Sequence, residues 1–465
     1  MKPVRPTAAE SNERGRAARA AVPRSSHGVY AAPAHRADPT DVLETEARTR
    51  IPDLVPIRYG RMLASPFSFF RGAAAIMASD LAETPRSGFE VQCCGDAHLA
   101  NFGLFASPER HLMFDINDFD ETLPGPWEWD VKRLTASVLI VARERGFSAR
   151  DQERIVLATA AEYRTWMGRF AAGRNLEVWY ARIDIEALEP QLTAELDPTT
   201  RKQAGKLVAK ARARDSLDAL SKLTRVVDGE PRIISRPPLL APIHELVASE
   251  REPTLAVLSD AVRAYRRSLQ PDRRVLFDSY QVVDFALKVV GVGSVGTRAW
   301  IALLLGRNNH DPLFLQIKEA EASVLEPFVR ASEYRNAGQR VVEGQRLMQA
   351  VSDILLGWLD SKLNIDGKPR DFYVRQLRDW KGSVDIAKMT ARALLSYSRL
   401  CGATLARAHA RSGDRIAIAS YLGTGAAFDR AIVAFSYAYA DQNARDHAAL
   451  CDAVASGRIT AETGV

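Results

Sequence analysis

Gly95-Asp96-Ala97-His98-Leu99-Ala100-Asn101, followed by Asn117-Asp118-Phe119-Asp120, is the stretch that decides the fold and the chemistry of this chain. A magnesium ion takes oxygen ligands from carboxylates and amides, and the phosphate oxygens of a substrate complete its coordination. Asn101 and Asp118 are therefore candidate Mg²⁺ ligands. Asp96, five residues before Asn101, is then left to accept a proton from a hydroxyl group. The spacing indicates phosphoryl transfer.

The residues around these loops predict the elements that position them. The apolar run before Asp118, His111-Leu112-Met113-Phe114-Asp115-Ile116, is typical of a buried strand and would place Asp118 at a strand end. Trp129-Asp130 begins a helical pattern after the break at Pro124-Gly125-Pro126. Asp130 has two interpretations, because an acid in a first helical turn is favoured by the helix dipole alone.

The two loops resemble those of the protein-kinase-like superfamily, in the form that the aminoglycoside phosphotransferases use (Gly-Asp-x-His-x-x-Asn, then Asp-Phe-Asp). The resemblance implies that Asp96 is the catalytic base, that Asn101 and Asp118 bind Mg²⁺, and that Asp130 braces the catalytic loop. Longer segments resemble a bacterial family catalogued as domain of unknown function 2252: PFSFFRG, CGDAHLANFG, NDFDETLPGPWEWD and FYVRQLRDWKGS. This second resemblance implies no substrate.

A glycine-rich loop in the second half of the chain supports two rival enzymes. Gly291, Gly293 and Gly296 leave backbone N–H groups that can approach phosphates, with Ser294 between them. In a kinase-like protein the loop joins two antiparallel strands. In a dinucleotide-binding protein it turns a strand into a helix, and Glu319 then binds a ribose. The apolar run Ala299–Leu305 is too short for periodicity to distinguish these alternatives.

The kinase resemblance also implies nucleotide contacts further along the chain. Pro312–Lys318 would be the third strand, with Lys318 neutralising phosphate oxygens and pairing with a helical glutamate, for which Glu343 is the candidate. Glu343 could equally be a solvated acid on a helix face. Leu377–Trp380 would be the hinge that presents backbone groups to adenine.

The order of these parts differs from that of ordinary kinases, in which the glycine loop and lysine come first. Lys318 follows Asp118 by 200 positions, so the resemblance requires a circular permutation, which is tolerable because a site depends on geometry. The expected fold is α+β, kinase-like and two-lobed, with a mostly helical large lobe and a small antiparallel-sheet lobe. We expect a disordered basic tail, the catalytic-loop half of the large lobe, a helical region, the nucleotide-binding small lobe and C-terminal helices of the large lobe at residues 1–50, 51–148, 149–280, 281–380 and 381–465.

Composition limits the partners and the compartment. The net charge is +6, but residues 1–40 carry seven Lys/Arg against three Asp/Glu, so four excess charges lie in the tail and nucleic acid is not indicated. No apolar run approaches the roughly 20 residues of a spanning helix, so no membrane association is expected. Four cysteines without a C-x-x-C pair favour reduced thiols in a cytoplasm.

The sequence thus predicts a kinase-like phosphotransferase that uses ATP and Mg²⁺ and acts on an unknown hydroxyl-bearing substrate, either a small molecule or a protein. The alternatives are an NAD(P)-dependent oxidoreductase, a nucleotide-binding regulatory module without turnover, and a kinase-like enzyme that transfers adenylate. The dehydrogenase alternative leaves Asp96, Asn101 and Asp118 unexplained, whereas the kinase-like interpretation gives both halves of the chain a part in one site.

Overall fold

The computed structural model describes residues 6–187, 198–246, 251–289, 291–360, 363–365, 368–377 and 379–464. The chain combines α-helices with antiparallel β-sheets. The helices are α1 (Ala8–Ala21), α2 (Pro39–Ala47), α3 (Val55–Leu63), α4 (Pro66–Gly72), α5 (Ala74–Ala82), α6 (Trp127–Glu144), α7 (Ala149–Ala172), α8 (Asn175–Tyr180), α9 (Pro198–Arg212), α10 (Ser216–Leu223), α11 (Ile243–Leu246), α12 (Arg251–Ser268), α13 (Pro271–Phe277), α14 (Ala337–Met348), α15 (Ala391–Ser412), α16 (Arg415–Leu422) and α17 (Ala427–Ala455). The strands are β1 (Glu90–Cys93), β2 (Phe102–Ala106), β3 (Leu112–Ile116), β4 (Leu123–Pro126), β5 (Thr224–Val227), β6 (Glu230–Ile233), β7 (Leu240–Pro242), β8 (Gln281–Lys288), β9 (Ala299–Leu305), β10 (Pro312–Ala320), β11 (Gly357–Trp358), β12 (Leu363–Ile365) and β13 (Lys368–Gln376).

Two short strand pairs position the acidic loops in the first half of the chain. β1 pairs with β4 and β2 pairs with β3, both antiparallel, with Cys93 opposite Leu123 and Phe102 opposite Ile116. An antiparallel partner brings the start of one strand beside the end of the other. The loop between β1 and β2 therefore meets the loop between β3 and β4, which explains how two separate acidic motifs reach one place.

The second half of the chain contains a seven-stranded sheet. Its order is β11-β13-β10-β9-β8-β7, with β12 also paired to β13. The sheet begins before residue 281, the predicted boundary, because β7 adds to its edge with Leu240 opposite Lys288. In its described residues, the region 149–280 is accordingly mainly helical and also contains the strands β5, β6 and β7.

Strand β9, in the middle of this sheet, is apolar along its whole length. Side chains alternate between the two faces of a pleated strand. Ala302 and Leu304 enter a core shared with α12 and α13, whereas Ile301 and Leu303 enter a second core shared with α10. Burial on both faces removes any polar alternation, so the sequence could not distinguish this strand from a buried helix.

The predicted disordered tail, residues 1–50, instead forms α1 and α2 in its described part. Thr7 and Glu10 form a capping box at the start of α1. Gly15 lets α1 pack closely on α16, since an added Cβ would lie 2.6 Å from the Ser420 Cβ. The polar composition suggested disorder, but small residues on one face of α1 permit packing that composition alone does not reveal.

An arginine network holds the chain between α1 and α2. Arg36 forms ion pairs with Asp80 and Asp446, both at 2.6 Å. These carboxylates lie on α5 and α17, so the segment is tied to two helices far apart in sequence. All three side chains are largely shielded from water, where ion pairs are screened less by salt.

Across the described residues, no single helix is long and apolar enough to cross a membrane. Helices α16 and α17 meet the requirement only when taken together, and they are bent by 85° at the break between them.

We expect two matched glycine substitutions to separate the packing of α1 from its helix propensity. Gly15→Ala should lower the free energy of unfolding by about 1–3 kcal/mol, because the new methyl group overpacks the contact with α16. Gly168→Ala, in α7 with nothing within 4 Å of the added Cβ, should raise it by about 0.5–1 kcal/mol. Urea denaturation measures both. If both substitutions raised the free energy of unfolding by the same amount, α1 would not pack against α16 as described.

Candidate active site

The predicted catalytic and metal residues of the first half lie together. Asn101 ends a short 3-10 turn, Leu99–Asn101. Its Nδ2 donates a hydrogen bond to the Asp96 carbonyl oxygen at 2.7 Å and lies 3.5 Å from the Asp118 carbonyl oxygen. The side-chain nitrogen is thereby used within the protein, and Oδ1 is the atom through which Asn101 could bind a cation.

Asp130 holds the backbone of the loop that carries Asp96. Its carboxylate accepts hydrogen bonds from the backbone N–H groups of Cys94 and Gly95, at 2.6 and 3.0 Å. On its other side the His409 Nε2 lies 3.1 Å away. The sequence allows two interpretations of Asp130, as an acid favoured by the helix dipole or as a brace for the catalytic loop. These contacts support the brace. His409 is itself fully buried.

Gly95 is needed at the turn that follows this brace. Its φ is +80°, a conformation that residues with a side chain rarely adopt. An added Cβ would also lie 2.8 Å from the Glu121 Cβ. The glycine therefore allows the β1–β2 loop to approach the β3–β4 loop closely.

Lys318 reaches these loops from strand β10. Its Nζ forms ion pairs with Asp118, at 3.6 Å, and with Asp120. Burial alone would lower the pKa of Lys318, but the two carboxylates reverse this effect and raise it, so the lysine is charged. The structure thus joins Lys318 to the predicted metal loop although the two are far apart in sequence.

The expected ion pair between Lys318 and Glu343 is replaced by other contacts. Glu343 pairs with Arg346 at 3.1 Å on its own helix, α14. The same helix contacts the acidic loop through Arg340, which donates to the Asp120 carbonyl oxygen at 2.8 Å. Asp118 and Asp120 already match the lysine charge, so a helical glutamate is not required.

The glycine loop joins β8 to β9, which are antiparallel neighbours. Gly291 and Gly296 have φ angles of +72° and +89°, and Ser294 lies between them. Gly293 lies against α4, since an added Cβ would lie 3.1 Å from the Arg71 carbonyl oxygen. The Arg71 charge in turn interacts with Asp96 and Asp118, so the loop lies at the edge of the site.

Arginines from the N-terminal segment hold the carbonyl groups of this loop. Arg50 Nη1 donates to the Gly293 and Val295 carbonyl oxygens at 2.8 and 2.7 Å, and Arg61 Nη1 donates to the Gly291 carbonyl oxygen at 2.6 Å. Within the described part of the loop, the Val295 and Thr297 N–H groups donate to the Val292 and Ser294 carbonyl oxygens, both at 3.2 Å, so the N–H groups of Gly293 and Ser294 are among those left for other ligands.

The loop does not have the local structure that a dinucleotide motif requires. That motif places the glycines between a strand and a helix, whereas β9 follows here and pairs with both β8 and β10. Glu319, the candidate ribose ligand, is buried and forms ion pairs with Arg298, at 3.3 Å, and with Arg370.

Asp96 combines partial exposure with a raised pKa. Burial raises its pKa to about 6, and the opposing attraction of Arg133 limits that rise. Arg133 Nε and Nη2 lie 2.6 and 2.5 Å from Oδ1, while 23% of the Asp96 side chain is exposed. A carboxylate with this pKa is ionised at pH 7 and basic enough to accept a proton from an oriented hydroxyl group.

Asp118 is ionised under almost all conditions. Burial would raise its pKa, but the positive charges of Lys318 and Arg375 outweigh burial and lower the pKa to about 2. Its Oδ1 atom is buried and has no hydrogen-bond partner among the described residues. An anionic oxygen without a partner fits a Mg²⁺ ligand.

Several further site residues escaped the sequence analysis. Tyr373 donates from its hydroxyl to Asp120 at 2.8 Å, and Arg375 donates to the Asn117 carbonyl oxygen at 2.9 Å. Repulsion from Arg375 lowers the pKa of Lys381 to about 7. Tyr373 and Arg375 lie two residues apart on β13, so they share a face. The two-residue spacing of Tyr373 and Arg375 within FYVRQ is the sequence pattern from which their shared position could have been predicted.

The predicted hinge, Leu377–Trp380, uses three of its described backbone groups within the protein. Leu377 N–H donates to the Phe314 carbonyl oxygen, and Trp380 N–H donates to the Arg214 carbonyl oxygen, both at 2.9 Å. The Asp379 carbonyl oxygen accepts from Ala106. Arg378 lies outside the described residues. These contacts give no support to an adenine-binding role for the groups they occupy.

Comparison with known proteins assigns the chain to a family. The chain belongs to a family of uncharacterised proteins conserved in bacteria, DUF2252, which matches residues 50–453. The resemblance to that family is therefore confirmed. No curated protein and no solved structure matched the chain.

We expect the brace on the β1–β2 loop to be important for stability. Asp130→Ala should lower the free energy of unfolding by about 2–5 kcal/mol, because it leaves two buried N–H donors unsatisfied. The control, Asp441→Ala, removes an exposed pair with Arg143 and should cost less than about 1 kcal/mol. Denaturant unfolding compares the two variants, and similar small losses would contradict the role of Asp130.

Proposed function

We propose that this protein is a kinase-like phosphotransferase that uses ATP and Mg²⁺ to phosphorylate a hydroxyl group. The observation that carries the proposal is the contact of Lys318 with Asp118 and Asp120. A phosphate-binding lysine beside a metal-binding aspartate is the pairing on which phosphoryl transfer depends in this superfamily. The lysine comes from a strand of the seven-stranded sheet, and the carboxylates come from the loop between β3 and β4.

The residues at the loops fit a Mg²⁺ ion. Asp118 offers its unpartnered Oδ1, and Asn101 offers Oδ1 because its Nδ2 is bound to the Asp96 carbonyl oxygen. A carboxylate and an amide are hard oxygen ligands of the kind that Mg²⁺ prefers, with phosphate oxygens in the other positions. When bound, the ion would neutralise charge on the transferred phosphate.

The proposed reaction assigns each residue one task. Asp96 orients the acceptor hydroxyl group and takes its proton. The acceptor oxygen forms a bond to the γ-phosphorus of ATP, and the bond from that phosphorus to the β,γ-bridging oxygen breaks. The products are the phosphorylated acceptor and ADP. Arg133 holds the Asp96 carboxylate in place through two contacts.

Positive charge around Asp118 supports the binding of a triphosphate. Lys318, Arg375 and Lys381 all act on its carboxylate. Loop N–H groups between β8 and β9 add donors suited to phosphate oxygens. These cations suit the negative charge of a triphosphate, and the unpartnered oxygen of Asp118 suits the Mg²⁺ ion that the triphosphate binds.

The proposed two-lobed arrangement follows from the same contact. The seven-stranded sheet with its glycine loop would be the small lobe, and the helices around β1–β4 would be the large lobe. The small lobe is then inserted after the catalytic loops in sequence, with α15 to α17 returning to the large lobe. The proposal includes this permuted order.

We expect ATP with Mg²⁺ to raise the thermal midpoint of the wild-type protein, because a ligand that binds the native state stabilises it by mass action. NADH should have no comparable effect. Asp118→Ala should remove most of the dependence on Mg²⁺, whereas Asp441→Ala, at an exposed position far from the loops in sequence, should retain it. A thermal-shift series with and without Mg²⁺ measures each response.

A folded Asp118→Ala variant with an unchanged Mg²⁺ response would contradict the metal assignment. If NADH raised the thermal midpoint of the protein and ATP did not, the NAD(P)-dependent oxidoreductase would become the favoured function. Product analysis separates the remaining alternatives: ADP indicates phosphoryl transfer, pyrophosphate indicates adenylate transfer, and binding without turnover indicates a regulatory module.

We expect Asp96→Asn to slow turnover without weakening nucleotide binding. Nucleotide affinity should change little, while residual ATP hydrolysis or autophosphorylation slows by roughly 10²–10⁴-fold, the contribution of a general base. In the wild type the rate should fall as pH drops through about 6, because protonation of Asp96, whose pKa is about 6, removes the base.

The pH profile provides the control for this assignment. The residual activity of Asp96→Asn should lack the fall near pH 6, because the titrating group is absent. Wild-type turnover in the folded variant would remove Asp96 from catalysis, and loss of nucleotide binding would give it a structural role instead.

A further inference from the structure

A cavity of about 450 Å³ lies beside the catalytic loop. Its walls come from α4, from the residues on either side of Asn101, from the end of α6, from the segment 383–387 and from α15. The residues important here are Phe67, Arg71, Ala100, Phe102, Val141 and Ile386. Its size is that of a small-molecule site. The proposed nucleotide site accounts for none of these residues.

Arg71 connects this cavity to the proposed reaction centre. Its side chain lines the cavity, and the carboxylates of Asp96 and Asp118 are close enough to stabilise its charge. Its carbonyl oxygen lies under Gly293 of the glycine loop. The side chain therefore lies where the glycine loop, the proposed base and the cavity meet.

The other charged groups of the cavity wall already have partners. Glu144 accepts a hydrogen bond from the Phe67 backbone N–H group. Asp385 pairs with Lys388 at 2.9 Å, and Arg145 donates to a backbone carbonyl oxygen at 3.3 Å. Asp385 is thus ion-paired, and Glu144 and Arg145 are each hydrogen-bonded to a backbone group.

Arg71 differs from these groups. Its guanidinium makes no hydrogen bond or close ion pair in the part of the chain that the structure describes, and its Nε is buried. A guanidinium group presents a planar set of donors that suits the two oxygens of a carboxylate or a phosphate. Among the described residues, Arg71 is therefore the charged group of the cavity wall whose donors are left for a ligand.

We propose that this cavity binds the acceptor, and that the acceptor is a small hydroxyl compound with a carboxylate or phosphate group held by Arg71. The inference rests on the proposed phosphotransferase function and names its substrate class. The anionic group on Arg71 would direct the hydroxyl group toward Asp96. Apolar walls such as Phe67 and Phe102 would pack against the carbon chain.

The experiment is a thermal-shift titration with matched ligands in the presence of ADP and Mg²⁺, which keep the phosphate-binding site occupied. The pairs are glycerate and glycerol, gluconate and sorbitol, and glycerol 3-phosphate and glycerol, with choline as a cationic hydroxyl compound. At least one anionic member should stabilise the wild type more than its neutral partner. Carboxylates and phosphates are compared directly, so the titration also identifies the preferred anion.

Arg71→Met should weaken the anionic ligand by about 10- to 100-fold, the change that one charged hydrogen bond contributes. The response to ADP with Mg²⁺ should remain. Arg150→Met, an exposed arginine at the start of α7, should behave as the wild type. If Arg71→Met does not fold, Arg71→Lys replaces it, and the selectivity of the wild type between matched partners tests the proposal without any variant.

A preference for neutral or cationic members, or no response to any anionic member, would overturn this assignment. So would a loss of ADP binding in Arg71→Met equal to the loss of anion binding, since Arg71 would then belong to the nucleotide site. Failure of the proposed function has a different signature: the wild type would not respond to ADP or ATP with Mg²⁺, whatever its response to the anions.

Discussion

Lys318 brings a positive charge into the interior, and the organisation of the site depends on how that charge is matched. Only 3% of its side chain is exposed, and an unmatched buried charge costs several kcal/mol. Asp118 and Asp120 supply the match from the loop after β3. Because the lysine belongs to β10, this interaction fixes the seven-stranded sheet against the acidic loops. It also keeps Asp118 ionised, which a metal ligand requires.

Chain order matters little to a site built in this way. Antiparallel pairing of β2 with β3 brings Asn101 beside Asn117, whose N–H group donates to the Asn101 carbonyl oxygen at 2.8 Å. The sheet then adds Lys318 from the second half of the chain. Each contribution depends on local strand pairing, so the acidic loops and the seven-stranded sheet can follow one another in either order provided that β10 reaches the same loop.

The sequence predicted which residues of the two acidic loops lie close together, because that proximity depends on short spacing. Asp96, Asn101 and Asp118 are brought together as expected, because two neighbouring strand pairs determine their positions. The partner of Lys318 was not predictable in this way, since Glu343 and Asp120 are both acids and only tertiary packing selects between them. Arg71 and Arg133 gave no signal, because isolated arginines on helices are common. The folded tail was missed because its packing relies on Gly15, on the ion pairs of Arg36 and on a few scattered apolar residues such as Leu43, which form no apolar run in the sequence.

The most direct test is a crystal structure of the protein with a non-hydrolysable ATP analogue and Mn²⁺, which replaces Mg²⁺ and can be located by anomalous scattering. The account predicts an Mn²⁺ peak bound by Asp118 Oδ1 and Asn101 Oδ1, with nucleotide phosphates in contact with Lys318 and the glycine loop. A nucleotide bound elsewhere, or an Mn²⁺ ion that does not contact Asp118, would contradict it.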